Sequence, residues 1–101
     1  MVNLIYIGAE ICIGTDAFHT PTEISTALVN FFENADLSVA IDRPFSGSIV
    51  PMKYWQKEPN VKSVMIEIRR DLYMNEKTGT KSHNFNEMQK TISKIIKILA
   101  N

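Results

Sequence analysis

The chain has 101 residues, and its eleven basic and eleven acidic side chains cancel. A length of this order fits one core and one domain over residues 1–101, and a hydrophobic share of 45% excludes a disordered chain. A neutral chain has no field to hold a polyanion and no stretch approaches the ~20 apolar residues of a bilayer span, so neither nucleic acid nor a membrane is an expected partner.

No basic residues precede the apolar patch at the amino terminus, so a secretory signal is not expected and the cytoplasm is the expected compartment. The apolar start, residues 4–7 and then 11–13, is interrupted by Gly8. This predicts a buried strand over residues 10–14, with a bulge or turn near Gly8. The single cysteine, Cys12, lies inside the strand and has no internal disulfide partner, which favours an inert buried thiol. Thr20-Pro21-Thr22-Glu23 then reads as a capping box, with threonine as N-cap, proline at the first helical position and glutamate at the third. Behind it Ile24, Ala27, Leu28, Phe31 and Phe32 recur at helical spacing. The helix is expected to end over residues 34–36, and residues 38–41 follow as a short strand. Strand, helix, strand in this compass predicts a βαβ unit with parallel strands.

Residues 42–60 contain three of the four prolines and the aromatics Phe45, Tyr54 and Trp55. A loop of that length in a compact domain is usually functional, and the alternative is a connector that tucks its aromatics over the core. Val64, Ile66 and Ile68 alternate with Met65, Glu67 and Arg69 and predict another strand. Residues 75–83 read as a polar loop, with His83 a bystander in it. Asn84-Phe85-Asn86-Glu87 opens a last helix with a second capping box, an apolar stripe of Phe85, Met88, Ile92, Ile95, Ile96 and Leu99, and Lys94 and Lys97 near its negative pole. The expected fold is α/β, with a small mixed or parallel sheet of three to four strands packed with two helices.

Glu67 stands out from physics alone, because it interrupts a strand of Val, Met and Ile and is followed by Arg69 and Arg70. A carboxylate between covered faces costs several kcal/mol unless it is paired. It therefore either lies on a solvated face, or pairs structurally with an arginine, or acts as general base or acid at a site. Asp42-Arg43-Pro44 lies just past a strand, and Asp16 and His19 follow the first strand in the same way. Ligands of open α/β sheets bind beyond such carboxyl ends. Arg43 is either a two-pronged carboxylate clamp or a surface ion pair, and His19 reads as a capping or supporting residue ahead of a metal ligand. A catalytic zinc site needs about three protein ligands, and Asp16-x-x-His19 is the one spacing that hints at any. The sequence has no phosphate-binding glycine loop, no Gly-x-Ser-x-Gly and no cysteine pair.

Ile11-Cys12-Ile13-Gly14-Thr15-Asp16, His19-Thr20-Pro21, Arg43-Pro44-Phe45-Ser46-Gly47, Ile66-Glu67-Ile68, Arg70 and Leu72-Tyr73-Met74 occur in that order. Together they resemble the carboxyl-terminal part of N-formylglutamate amidohydrolases. The resemblance runs from about Ile11 to the last helix. It implies part of a zinc-carboxypeptidase-like (phosphorylase/hydrolase-like) fold and a zinc-dependent hydrolase that releases formate from N-formyl-L-glutamate. By the resemblance Glu67 corresponds to the carboxylate that activates a metal-bound water. Arg43 and Arg70 are the candidates for holding substrate carboxylates, and Tyr54 for closing over the substrate. The family's metal histidines belong to a His-Ser-Gly motif and an Asp-x-His-Ser motif, neither of which occurs here, so the metal ligands stay open, with Asp16 and His19 as the only candidates. Asp42 and Arg69 stand where the family commonly has asparagine. The resemblance thus implies either a hydrolase part completed by a missing segment or partner chain, or a fragment or derivative that serves as a non-catalytic binding or assembly module. Either way the exposed edge of a half-sheet predicts self-association.

Overall fold

In order along the chain the elements are strand β1 (Ile11–Gly14), helix α1 (Thr22–Asn34), strands β2 (Val39–Ile41) and β3 (Met65–Ile68), a single 3-10 turn (Arg70–Leu72), strands β4 (Met74–Asn75) and β5 (Thr80–Lys81), and helix α2 (Phe85–Ala100). They are seen in a computed structural model that describes residues 8–75, 77–82 and 84–100, less the side chains of residues 98 and 100. The readings made above for residues 4–7 and for His83 lie outside the described residues. Length and composition predict one domain; the contacts gather into two compact units, Met1–Glu67 and Ile68–Asn101.

In the first unit β1 is central, in the sheet order β2-β1-β3. It pairs in parallel with β2, with Ile11 opposite Val39, Cys12 opposite Ala40 and Ile13 opposite Ile41. The expected βαβ unit is present, and the parallel pairing brings the carboxyl ends of β1 and β2 to the same edge. All four residues of β1 are buried, which suits a strand with a neighbour on either side and α1 against it. Ile11, Ile13, Leu28 and Phe32 are at most 1% exposed and form the core. Each such side chain is worth about 1.5–3 kcal/mol in apolar burial. Cys12 is buried, and its thiol donates to the Phe45 carbonyl at 3.3 Å. Gly14 allows a close approach that no other residue could. A Cβ there would lie 2.3 Å from the Gly47 carbonyl oxygen and 2.5 Å from the end of the Met65 side chain.

The face that α1 buries is shifted from the expected stripe. Ser25, Leu28 and Phe32 are buried, whereas Ala27 is exposed. Ser25 is tolerated inside because its hydroxyl donates to the Thr22 carbonyl at 3.0 Å, which satisfies the polar group within its own helix. The capping box at Thr20 does not form. Pro21 occupies the N-cap position with no side-chain cap, and the Thr20 hydroxyl instead accepts from the Asp16 N–H and donates to the Ser63 carbonyl.

In the second unit, residues expected as a polar loop include a small antiparallel hairpin, with Met74 opposite Lys81 and Asn75 opposite Thr80. Gly79, at φ +72°, supplies the left-handed residue of its turn. α2 forms where its periodicity predicts, and Ile95 is its buried centre, while Ile96 and Leu99 are 62% and 41% exposed. Tyr73 and Phe85 meet edge to face at 6.4 Å.

Candidate functional site

The shared carboxyl edge of β1 and β2 is held by one carboxylate. Asp42, the first residue past β2, accepts the Thr15 N–H and the Thr15 hydroxyl, each at 2.7 Å, on its two oxygens. These bonds, hydroxyl first, with a further N–H from Gly47, hold the Asp42 carboxyl below the usual carboxylate range. The backbone of Asp42 is left-handed, at φ +57°, a conformation that aspartate tolerates better than most residues. The knot fixes the start of the long loop, where exposed Arg43 and Pro44 border an open cavity of ≈ 580 Å³ with Gly8, Ala9 and Ala40.

A second knot follows β1. One oxygen of Asp16 accepts the N–H groups of Phe18 and His19, at 2.8 and 2.9 Å. The Phe18 bond is the chief cause that holds the Asp16 carboxyl low, with smaller contributions from the His19 N–H and the Trp55 side chain. His19 is fully buried. Its Nδ1 lies 2.7 Å from the Val61 carbonyl and its Nε2 accepts the Gln56 N–H at 2.9 Å. A carbonyl can only accept and a backbone N–H can only donate, so the ring carries its proton on Nδ1. The His19 carbonyl in turn accepts the Ser63 N–H at 3.0 Å.

This arrangement does not fit a zinc ligand. Both nitrogens of His19 are committed to backbone partners, and among the described residues no three His, Cys, Asp or Glu side chains gather to hold a metal ion. Asp16 and His19 are brought together, and they join the segment after β1 to residues 55–63.

Tyr54 is half-buried in the turn at residues 52–57, with the Lys53 ammonium 4.8 Å from its ring centre. Glu67 is exposed on β3 while Met65, Ile66 and Ile68 beside it are half-buried. Arg70 opens the 3-10 turn of the second unit and is also exposed. Its neighbour Arg69 grips Asp71 with two nitrogens, at 2.6 and 3.1 Å. Sequence reading missed the roles of Thr15, Thr20, Gln56 and Val61. Only Thr15, beside Asp16 at a strand end, carried any signal.

The family model for N-formylglutamate amidohydrolase matches residues 7–74. The chain belongs to that family. The matched stretch takes in Asp16, His19, Arg43, Tyr54, Glu67 and Arg70, and stops before α2. Among solved structures the fold of this family member is similar to that of the N-formylglutamate amidohydrolase from Ralstonia eutropha JMP134, with a TM-score of 0.71 and 23% identity over 86% of this chain. The chain spans 31% of that protein's length. No curated protein matches it. No helix among the described residues is long and apolar enough to cross a membrane.

Proposed function

We propose that this chain carries the water-activating and substrate-gripping part of a hydrolase that cleaves the formyl amide of N-formyl-L-glutamate or a related small acyl-amino acid. One observation carries the reading: the family match includes Glu67, whose carboxylate stands exposed on β3 and free to meet a substrate. Hydrolysis of an amide requires a proton to leave the attacking water and another to reach the departing amine. A carboxylate in contact with both can take the first and return it to the second. The substrate has two carboxylates of its own. Arg43 would hold one in forked geometry, and Tyr54 would cover the ligand. Because Asp16 and His19 do not fit zinc, no step is assigned to a metal here. The ligands for the family's metal would come from another segment or a partner chain.

The commitment of both His19 nitrogens also favours a second reading, in which the chain is a non-catalytic binding or assembly module. Formate release from N-formyl-L-glutamate by the purified chain, with and without zinc, separates the two. Zinc-dependent release supports a site complete in this chain or across a dimer. Absence of release, with no zinc retained after dialysis, favours the module. Self-association is expected in either case, and a strictly monomeric species in light scattering at high concentration would count against it.

A further inference from the structure

The turn at residues 52–57 has an open outer surface, with Met52 at 87% and Trp55 at 48% exposure. It is nevertheless held from one side: the Gln56 N–H donates to His19 Nε2 at 2.9 Å, and Asp16 steadies His19 by accepting its N–H at 2.9 Å. Gln56 is also left-handed, at φ +55°. That conformation is unusual for a residue of this type and persists only where surrounding contacts over-determine it. The bond to His19 is such a contact. On its other side the same ring holds Val61, and the His19 carbonyl holds Ser63, so one buried residue holds both the turn and the limb that follows it.

We propose that Asp16 and His19 form a clasp that positions residues 52–57 as a hinged flap at the carboxyl edge of β1, with His19 Nε2 as its catch. Opening the flap breaks one N–H···N bond and lets Gln56 leave its left-handed conformation. The limb at Val61 and Ser63 stays attached as the hinge. His19 is thus a positioning residue. Where the function proposed above holds, the flap is what carries Tyr54 to the substrate, and that consequence rests on the same reading; the clasp itself does not.

Native-state amide exchange on the purified chain tests this without any turnover, so failure of the clasp and failure of the hydrolase reading are separate results. Asparagine at position 19 can still donate to the Val61 carbonyl but does not reach Gln56, whereas glutamine extends far enough to accept from it. In His19→Asn the Gln56 amide should exchange roughly tenfold or more faster, by a larger factor than the α1 amides of Leu28 and Phe32, and His19→Gln should restore most of the protection. Wild-type exchange at Gln56 in His19→Asn overturns the clasp, as does acceleration of the Leu28 and Phe32 amides by the same factor. Should His19→Asn not fold, the wild-type chain decides by nitrogen NMR of the ring. A proton on Nδ1 with Nε2 bare supports the catch, and a proton on Nε2 overturns it.

Discussion

Two places in this chain set titratable side chains at or beside a strand end, and they use them in opposite ways. After β1, Asp16 and His19 are absorbed by the backbone: the carboxylate accepts two N–H groups, and both imidazole nitrogens are bonded in a fully buried position. Along β3 and just past it, Glu67 and Arg70 remain exposed. Residue type alone would rank the histidine as the more reactive centre. Satisfaction of its hydrogen bonds removes it from that role, because a ligand at either nitrogen must first displace a backbone partner. Where the proposed function holds, chemistry is therefore expected from exposed Glu67 and architecture from Asp16 and His19.

The largest effect that could break this contrast is at Glu67. In a preparation that releases formate, Glu67→Gln should lower kcat by about 10²–10⁴-fold, with unfolding free energy unchanged within about 0.5 kcal/mol, since the site is exposed. Full activity in that variant would remove Glu67 from the chemistry. The reverse pattern is expected at His19. His19→Ala should cost about 2–4 kcal/mol in denaturant unfolding, through a cavity and two backbone groups left unpaired. A loss below about 0.5 kcal/mol would make the buried knot as dispensable as a surface position.

The smallest effect sharpens the comparison through pH. Asp42 and Asp16 are both held below the ordinary carboxylate range in the folded chain, against about 3.9 when unfolded. Their contribution is therefore fully present above about pH 4 and is lost as pH falls through the lower folded values. Thermal melts should show Tm falling on acidification below about pH 4. Asp42→Asn should cost about 1 kcal/mol at neutral pH and flatten that acid limb. An acid limb unchanged in the variant would move the effect to other carboxyls.

Much of the architecture could be read from the residues. The apolar run at Ile11–Gly14, the stripe ending at Phe32 and the alternation at Met65–Ile68 each specify a buried face, and each appears as an element. What failed was local chemistry with a distant competitor. Thr20 has the right neighbours for a helix cap, yet its hydroxyl bonds Ser63, 43 residues away. The hairpin at Met74–Lys81 escaped because strands of two polar or half-buried residues leave no periodicity to detect. In the site, Glu67 was conspicuous because it breaks an apolar pattern. His19 was not legible in the same way: its partners, Gln56 and Val61, lie 37 and 42 residues further on, and both act through backbone groups that any residue could supply.

The lone cysteine gives the molecule a clock. Cys12 sits in the middle of the central strand, 5% exposed, with its sulfur turned to the Phe45 carbonyl of the loop that Asp42 ties down. An alkylating reagent can reach it only after that loop lifts or the sheet parts, so the labelling rate of the unmodified chain counts those openings directly. Anything that steadies the loop, whether a substrate under Arg43 or a second polypeptide chain, should be visible as a slower tick.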